Sequence, residues 1–319
     1  MQGYRFLSSV VEMRGLIVVI LFFCTLFFSA RVYSSEPVSQ VLIAYRNDIT
    51  IHKILLNGLM ASLKADYFTE KKVKTIGLTG DKNTWPLTGE KKADLAVALG
   101  DSALKFVLEQ ADIRRGIYLL ISNPEIKESA DRKGVWTGTT LWVPLGIQLS
   151  VIKEMYPNLK RIGIVVGKDT LPRLKREINQ VKSDRIMPLT IVTIDRPRGL
   201  LKEISTLFPK IDAFLFYPDP VIFNSATIGE ILRLQKEFLV PVVAPAPAIA
   251  QMGACIAVYY DLNELLREIV HHITRAPFDD FDKECCVRVS INVNTTKMLN
   301  ADWLLIPAKG KEKISFIKN

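Results

Sequence analysis

From Val38 onward, short apolar runs alternate with segments whose apolar residues fall on one helical face, the rhythm of β-α-β units. Val41–Tyr45 reads as a first strand. Ile51, Ile54, Leu55, Leu59 and Leu63 share one face of a helix over Asp48–Ala65. Strands follow at Lys74–Leu78 and Asp94–Leu99, the latter running through Gly100-Asp101-Ser102 into a helix that ends near Gln110. Gly116–Ile121 reads as a fourth strand stopping at Ser122-Asn123-Pro124, and Gly134–Thr139 as a short fifth.

The rhythm then restarts. A helix over Pro144–Tyr156 spaces Leu145, Leu149, Ile152 and Met155 for burial. Strands at Arg161–Val166, Leu189–Thr193, Ala213–Tyr217, Val240–Ala244 and Ala254–Tyr260 alternate with helices at Leu171–Lys182, Leu200–Phe208 and Ser225–Phe238. A helix over Leu262–Arg275, strands at Arg288–Val293 and Ile314–Ile317, and an intervening loop complete the chain. Two successive sets of parallel units predict an α/β protein of two doubly wound parallel-sheet lobes joined by a hinge. The N-terminal lobe takes residues 35–139 plus about 261–287, and the C-terminal lobe 140–260 plus about 288–319. Such sheets bind ligands beyond the carboxyl ends of their strands, so facing lobes define a cleft.

Length and composition agree: 319 residues at 49% hydrophobic can fill two cores, which excludes a disordered chain. Ahead of the first strand, Arg5 and Arg14 precede an uncharged apolar run from Gly15 to Ala30, then Arg31-Val-Tyr-Ser-Ser-Glu-Pro37. Basic, apolar, then small and polar is the layout of a secretory signal over residues 1–34, with a cut before Ser35. An uncleaved anchor is the competing reading, which would tether the protein to the membrane. Either way the globular part lies in the periplasm or another extracytoplasmic space.

A net charge of +9 raises nucleic acid as a partner. The basic residues are scattered in doublets such as Lys71-Lys72 and Arg114-Arg115 rather than aligned, so they read as solvated surface. Behind the signal stand Cys255, Cys285 and Cys286, open to buried thiols or to one disulfide. His271-His272 near them match no zinc spacing, and no metal or other cofactor is expected. No Gly-x-Ser-x-Gly elbow, Walker loop or His-Glu-x-x-His occurs, which argues against an enzyme.

Several turns carry a family resemblance: Gly100-Asp-Ser-Ala103, Ser122-Asn-Pro124, Val135-Trp-Thr-Gly-Thr139, Tyr156-Pro-Asn-Leu-Lys-Arg-Ile-Gly-Ile-Val-Val166, Ile211-Asp-Ala-Phe-Leu-Phe-Tyr-Pro-Asp219, Val240-Pro-Val-Val243, Gly253-Ala-Cys-Ile-Ala257 and Ile291-Asn292. In order and spacing they resemble the substrate-binding proteins of ABC transporters with the type I periplasmic-binding fold, in the tryptophan and amino-acid branch. The likeness spans most of residues 40–305. It implies a monomer that closes on a small molecule, an amino acid or related solute, and presents it to an ABC permease in the cytoplasmic membrane. A sensory module feeding a signalling receptor is the alternative on the same fold.

The candidate ligand contacts sit at strand ends. Asn47 and Asp48 follow the first strand, where capping the next helix is the rival role. Asp101 and Ser102 open a helix whose free N–H groups suit an anion, although Asp101 must then turn away from it. Ser122 and Asn123 leave a buried strand as ligand contacts or turn formers. Thr137, Gly138 and Thr139, bracketed by Trp136 and Trp142, stand at the junction of the two sets. Asp169, beside Thr170, Tyr217 and Asp219 come from the second lobe. The resemblance puts Asp219 against a ligand ammonium, with a Pro-Asp-Pro turn as the plainer role.

Overall fold

Alternate residues of the first strands are buried on opposite faces, which requires helices on both sides of a sheet. The computed structural model describes residues 38, 40–66, 73–79, 93–110, 113, 115–181, 187–195, 199–274, 281, 284–300 and 313–318. The signal over residues 1–34 lies outside them. In β1 (Val41–Arg46), Val41 and Ile43 face one side and Leu42 and Ala44 the other. In β3 (Leu95–Leu99), Leu95, Val97 and Leu99 part in the same way from Ala96 and Ala98. Leu55, Leu59 and Leu63 of α1 (Thr50–Asp66) cover the first face; Ala103, Leu104 and Val107 of α2 (Asp101–Gln110) cover the second. Ile54, expected inward, is 53% exposed, because it stands about 100° round the helix from the 55-59-63 stripe.

β2 (Val73–Leu78), β4 (Arg115–Ile121) and β5 (Val135–Thr140) complete a parallel sheet ordered β2-β1-β3-β4-β5. Between β4 and β5 runs α3 (Pro124–Lys133), which apolar periodicity did not reveal because Ala130 is its one buried residue. Its start is nonetheless written locally. Pro124 occupies the first turn, where a missing N–H costs nothing, and Asn123 accepts from the Glu125 N–H at 2.9 Å.

α4 (Leu145–Met155) follows the crossing to the second lobe, with Leu145, Leu149, Ile152 and Met155 all buried as their spacing predicts. Then come β6 (Ile162–Gly167), α5 (Leu171–Gln180), β7 (Leu189–Ile194), α6 (Leu200–Leu207), β8 (Ala213–Leu215), α7 (Ser225–Phe238), β9 (Val242–Ala244), α8 (Pro247–Gln251) and β10 (Ile256–Tyr260). After α9 (Leu262–Thr274) the chain forms β11 (Val287–Asn292), α10 (Val293–Met298) and β12 (Ile314–Ile317). The second sheet is ordered β12-β11-β10-β9-β8-β6-β7.

One pair departs from the all-parallel expectation: β11 runs antiparallel to β10. A parallel return needs a crossover helix lying on the same sheet. α9 instead packs on α1 of the first lobe, where Gly58 leaves room for Leu266; a Cβ there would come within 2.5 Å of that side chain. The chain therefore re-enters the second sheet from the cleft end. One apolar core continues from Ile43 and Val97 of the first sheet through Val143 and Leu149 to Ile162 and Ile164 of the second. A separate core fills the far face of the second lobe, with Phe208 and Phe214 stacked at 5.4 Å. No helix among the described residues is long and apolar enough to cross a membrane.

Candidate functional site

Where β4, β5 and β8 end, the lobes enclose a chamber of about 320 Å³. Ser122, Lys127, Glu128 and Asp131 reach it from the first lobe, and Arg173, Arg176, Glu177 and Tyr217 from the second; Thr140, Trp142, Val143 and Pro144 of the crossing segment also line it. The Lys127 ammonium donates to Asp131 at 2.7 Å and stands 6.0 Å from the centre of the Tyr118 ring. Burial works to lower the Lys127 pKa, but Asp131 and Tyr118 outweigh it and raise the value. Across the chamber, Arg176 Nη1 donates to Glu128 Oε1 at 3.2 Å, an ion pair between lobes.

The second lobe contributes a relay. Glu177 Oε2 accepts from the Leu145 N–H at 3.3 Å, while Oε1 accepts from the Tyr217 hydroxyl at 2.6 Å. Tyr217 in turn accepts from Arg173 Nε at 3.1 Å, and Arg173 Nη2 donates to the Pro218 carbonyl. The guanidinium also lies over the Tyr217 ring, 5.0 Å from its centre. Burial first, and then the Glu177 carboxylate, push the Tyr217 hydroxyl pKa upward, so it stays a neutral donor. Gln148 lines the same chamber; its Nε2 donates to Val143 O at 2.6 Å, and Oε1 has no bonding partner among the described residues.

A second, more apolar cavity of about 410 Å³ lies beside the first, lined by Ile51, Leu120, Leu141, Pro245 and Tyr259 among others. Trp142 and Val143 border both. Trp142 is braced by Phe223, with ring centres 5.2 Å apart.

Of the residues expected from sequence, Ser122 and Tyr217 line the polar chamber. Asp101 accepts from the N–H groups of Ser122 at 2.9 Å and Asn123 at 3.1 Å, and from the Ser122 hydroxyl. It thereby fixes the β4–α3 corner, while Asn123 caps α3 and Ser102 is half-buried at the start of α2. Asp48 pairs with Arg46 at 2.7 Å rather than capping α1, and that hydrogen bond lowers its pKa to about 2. Asn47 packs over Gly77, and Asp169 is exposed beside Thr170.

Thr137 accepts from the Phe281 N–H at 3.3 Å, and Thr139 is wholly buried, its hydroxyl unbonded among the described residues. Gly138 has φ +143°, and Trp136 is core, packed on Gly116. Asp219 does not meet the chamber. It is 2% exposed and accepts from the N–H groups of Gly167 and Val221, both at 2.7 Å, and Ile222 at 3.3 Å. A short loop after a buried strand leaves these N–H groups unpaired, and its own carboxylate is the nearest acceptor. The residues that sequence reading missed, Lys127, Glu128, Asp131, Arg173, Arg176 and Glu177, all lie on α3 and α5. Their one local signal is the Asn123-Pro124 helix start.

Among the described residues, Cys255 lies 3.5 Å from the Tyr156 hydroxyl, and the Cys285 and Cys286 sulfurs are 3.2 Å apart, beyond the length of a disulfide bond. No group of three metal-ligating side chains occurs among the described residues.

No family model and no curated protein matches the sequence. Two α/β lobes of this order, with the cleft at their strand ends, define the type I periplasmic-binding fold, and solved structures match it. A ligand-free, open substrate-binding protein with adhesive properties from Clostridium difficile aligns with a TM-score of 0.63 at 17% identity, over 88% of this chain and 100% of that one. A conserved domain protein from Vibrio cholerae O1 biovar El Tor aligns at 0.55 and 16% identity, over 88% and 100%. An ABC domain from Streptococcus pneumoniae in complex with L-Trp aligns at 0.54 and 15%, with the same coverage.

Proposed function

We propose that this chain is an extracytoplasmic solute-binding protein of an ABC-type importer. It holds a small polar molecule, an amino acid or related solute, between its lobes and hands it, as a monomer, to a permease in the cytoplasmic membrane. The observation that carries this reading is the chamber of about 320 Å³ at the strand ends, walled by charged side chains of both lobes. That volume falls within the range of small-molecule sites. Two of the matching folds support it, one a substrate-binding protein and one solved with L-Trp.

Binding, not catalysis, is the chemistry assigned. Neither histidine nor cysteine lines the chamber among the described residues, and Ser122, its serine, donates its hydroxyl proton to Asp101 rather than to a base aimed at a substrate. A solute touching both lobes stabilises the closed arrangement by its differential affinity for that state. The leader over residues 1–34, basic and then apolar, fits export, and its cleavage or retention sets whether the protein is tethered.

The test is a thermal-shift screen of the chain from Ser35 against amino acids, nucleosides, sugars and small anions. A solute at one hundred times its Kd adds about 2.7 kcal/mol of stability. A concentration-dependent rise in melting midpoint with one class is expected. No rise with any class contradicts the proposal.

A further inference from the structure

The chamber's charged side chains, Lys127, Arg173 and Arg176 against Glu128, Asp131 and Glu177, sum to zero, but only two of the pairs are in contact. Lys127 is matched by Asp131 and Arg176 by Glu128. Glu177 is satisfied by a hydroxyl and an amide. Arg173 is left as a cation with no carboxylate within ion-pair distance among the described residues. Its contacts are the Tyr217 hydroxyl and ring and the Pro218 carbonyl. Those use one edge of the guanidinium, and its other N–H groups have no acceptor there.

A half-buried, unmatched guanidinium with unused donors is costly unless an anion arrives. It is also rigid, because Glu177 holds Tyr217 and Tyr217 holds Arg173, so little ordering is required on binding. We infer that Arg173 is the anion-binding residue of the cleft and that the ligand class is a monocarboxylate. The inference rests on the chamber being the ligand site. A planar carboxylate matches the guanidinium fork. A dianion such as phosphate has one unmatched cation to meet and three carboxylates nearby, Glu128, Asp131 and Glu177. Tyr217 and Glu177 are positioning residues, which act through Arg173.

The experiment is titration calorimetry on the chain from Ser35 with matched probes: L-tryptophan against L-tryptophanamide, L-leucine against L-leucinamide, and 3,4-dihydroxybenzoate against its amide. Inorganic phosphate and myo-inositol complete the set. At least one acid binds at least tenfold more tightly than its amide, and phosphate binds more weakly than that acid. Arg173→Gln weakens the acid about 30-fold or more, Arg173→Lys less, and Tyr217→Phe several-fold, each measured well below the variant's own ligand-free melting midpoint. Equal binding of acid and amide, preference for phosphate, or acid binding untouched in Arg173→Gln overturns the inference. Binding of myo-inositol or an amide without the acids also overturns it but leaves a binding cleft standing. Silence from every probe counts against both.

Discussion

Arg176 on α5 and Glu128 on α3 meet at 3.2 Å across the chamber, joining lobes that are otherwise linked here through the crossing segment and the shared core. Both side chains are about half exposed, 52% and 50%, so water and salt screen the pair. Such a pair contributes about 1 kcal/mol or less. Its place matters more than its strength, because it exists only while the lobes are together. Arg176→Gln is expected to leave the melting midpoint nearly unchanged yet broaden the interlobe distance distribution in single-molecule energy transfer. Raising salt on the unmodified chain should mimic the substitution. An unchanged distribution contradicts a role in closure.

Asp219 offers a separate test. With its carboxylate bonded to three backbone N–H groups, Asp219→Ala strands buried donors at the end of β8. The cost is about 3 kcal/mol or more, read by urea unfolding. Solute affinity should fall little once stability is restored by lower temperature. A stable variant with abolished binding would instead place Asp219 against the ligand.

Gly138 sits at φ +143°, and a Cβ there would lie 1.8 Å from the Tyr118 carbonyl oxygen of the neighbouring strand. Backbone cannot yield as a flexible side chain does. Gly138→Ala should therefore cost about 3 kcal/mol or more and distort the β4–β5 pairing that leads into the hinge. Equilibrium unfolding checks the size of the loss, and hydrogen exchange should place it in β4 and β5.

His52 predicts an acid limb. It is 5% exposed, and its Nδ1 accepts from the Arg46 N–H at 3.2 Å, which puts the neutral ring's proton on Nε2. Burial, then the charge of Arg46, lower its pKa below the ordinary 6.5, with Asp48 and Asp101 opposing. The unfolded chain therefore takes a proton that the folded one resists. Stability is full above about pH 6.5 and falls as acid carries the chain from there down toward the lowered value. Calorimetry between pH 7 and 5 should show a smaller drop for His52→Gln than for the unmodified chain. Parallel slopes contradict the assignment.

The lobes were legible because buried strands and one-sided helices write their periods into the sequence, as Leu145, Leu149, Ile152 and Met155 do. The site was less so. Strand-end polar residues such as Asp101 and Asp219 look alike whether they meet a ligand or their own loop. The choice depends on which N–H groups the fold leaves open, and sequence spacing does not encode that. Conversely, Arg173 and Glu177 lie on a charged helix face that reads as solvated surface until the other lobe is placed opposite. The antiparallel turn of β11 was hidden because it depends on α9 docking against the first lobe.

The most direct test of the whole account is small-angle scattering on the chain from Ser35, with and without the solute that scores highest in the thermal screen. Capture between closing lobes predicts a smaller radius of gyration and a narrower pair-distance distribution at saturation. A tight-binding solute that leaves both unchanged would contradict it.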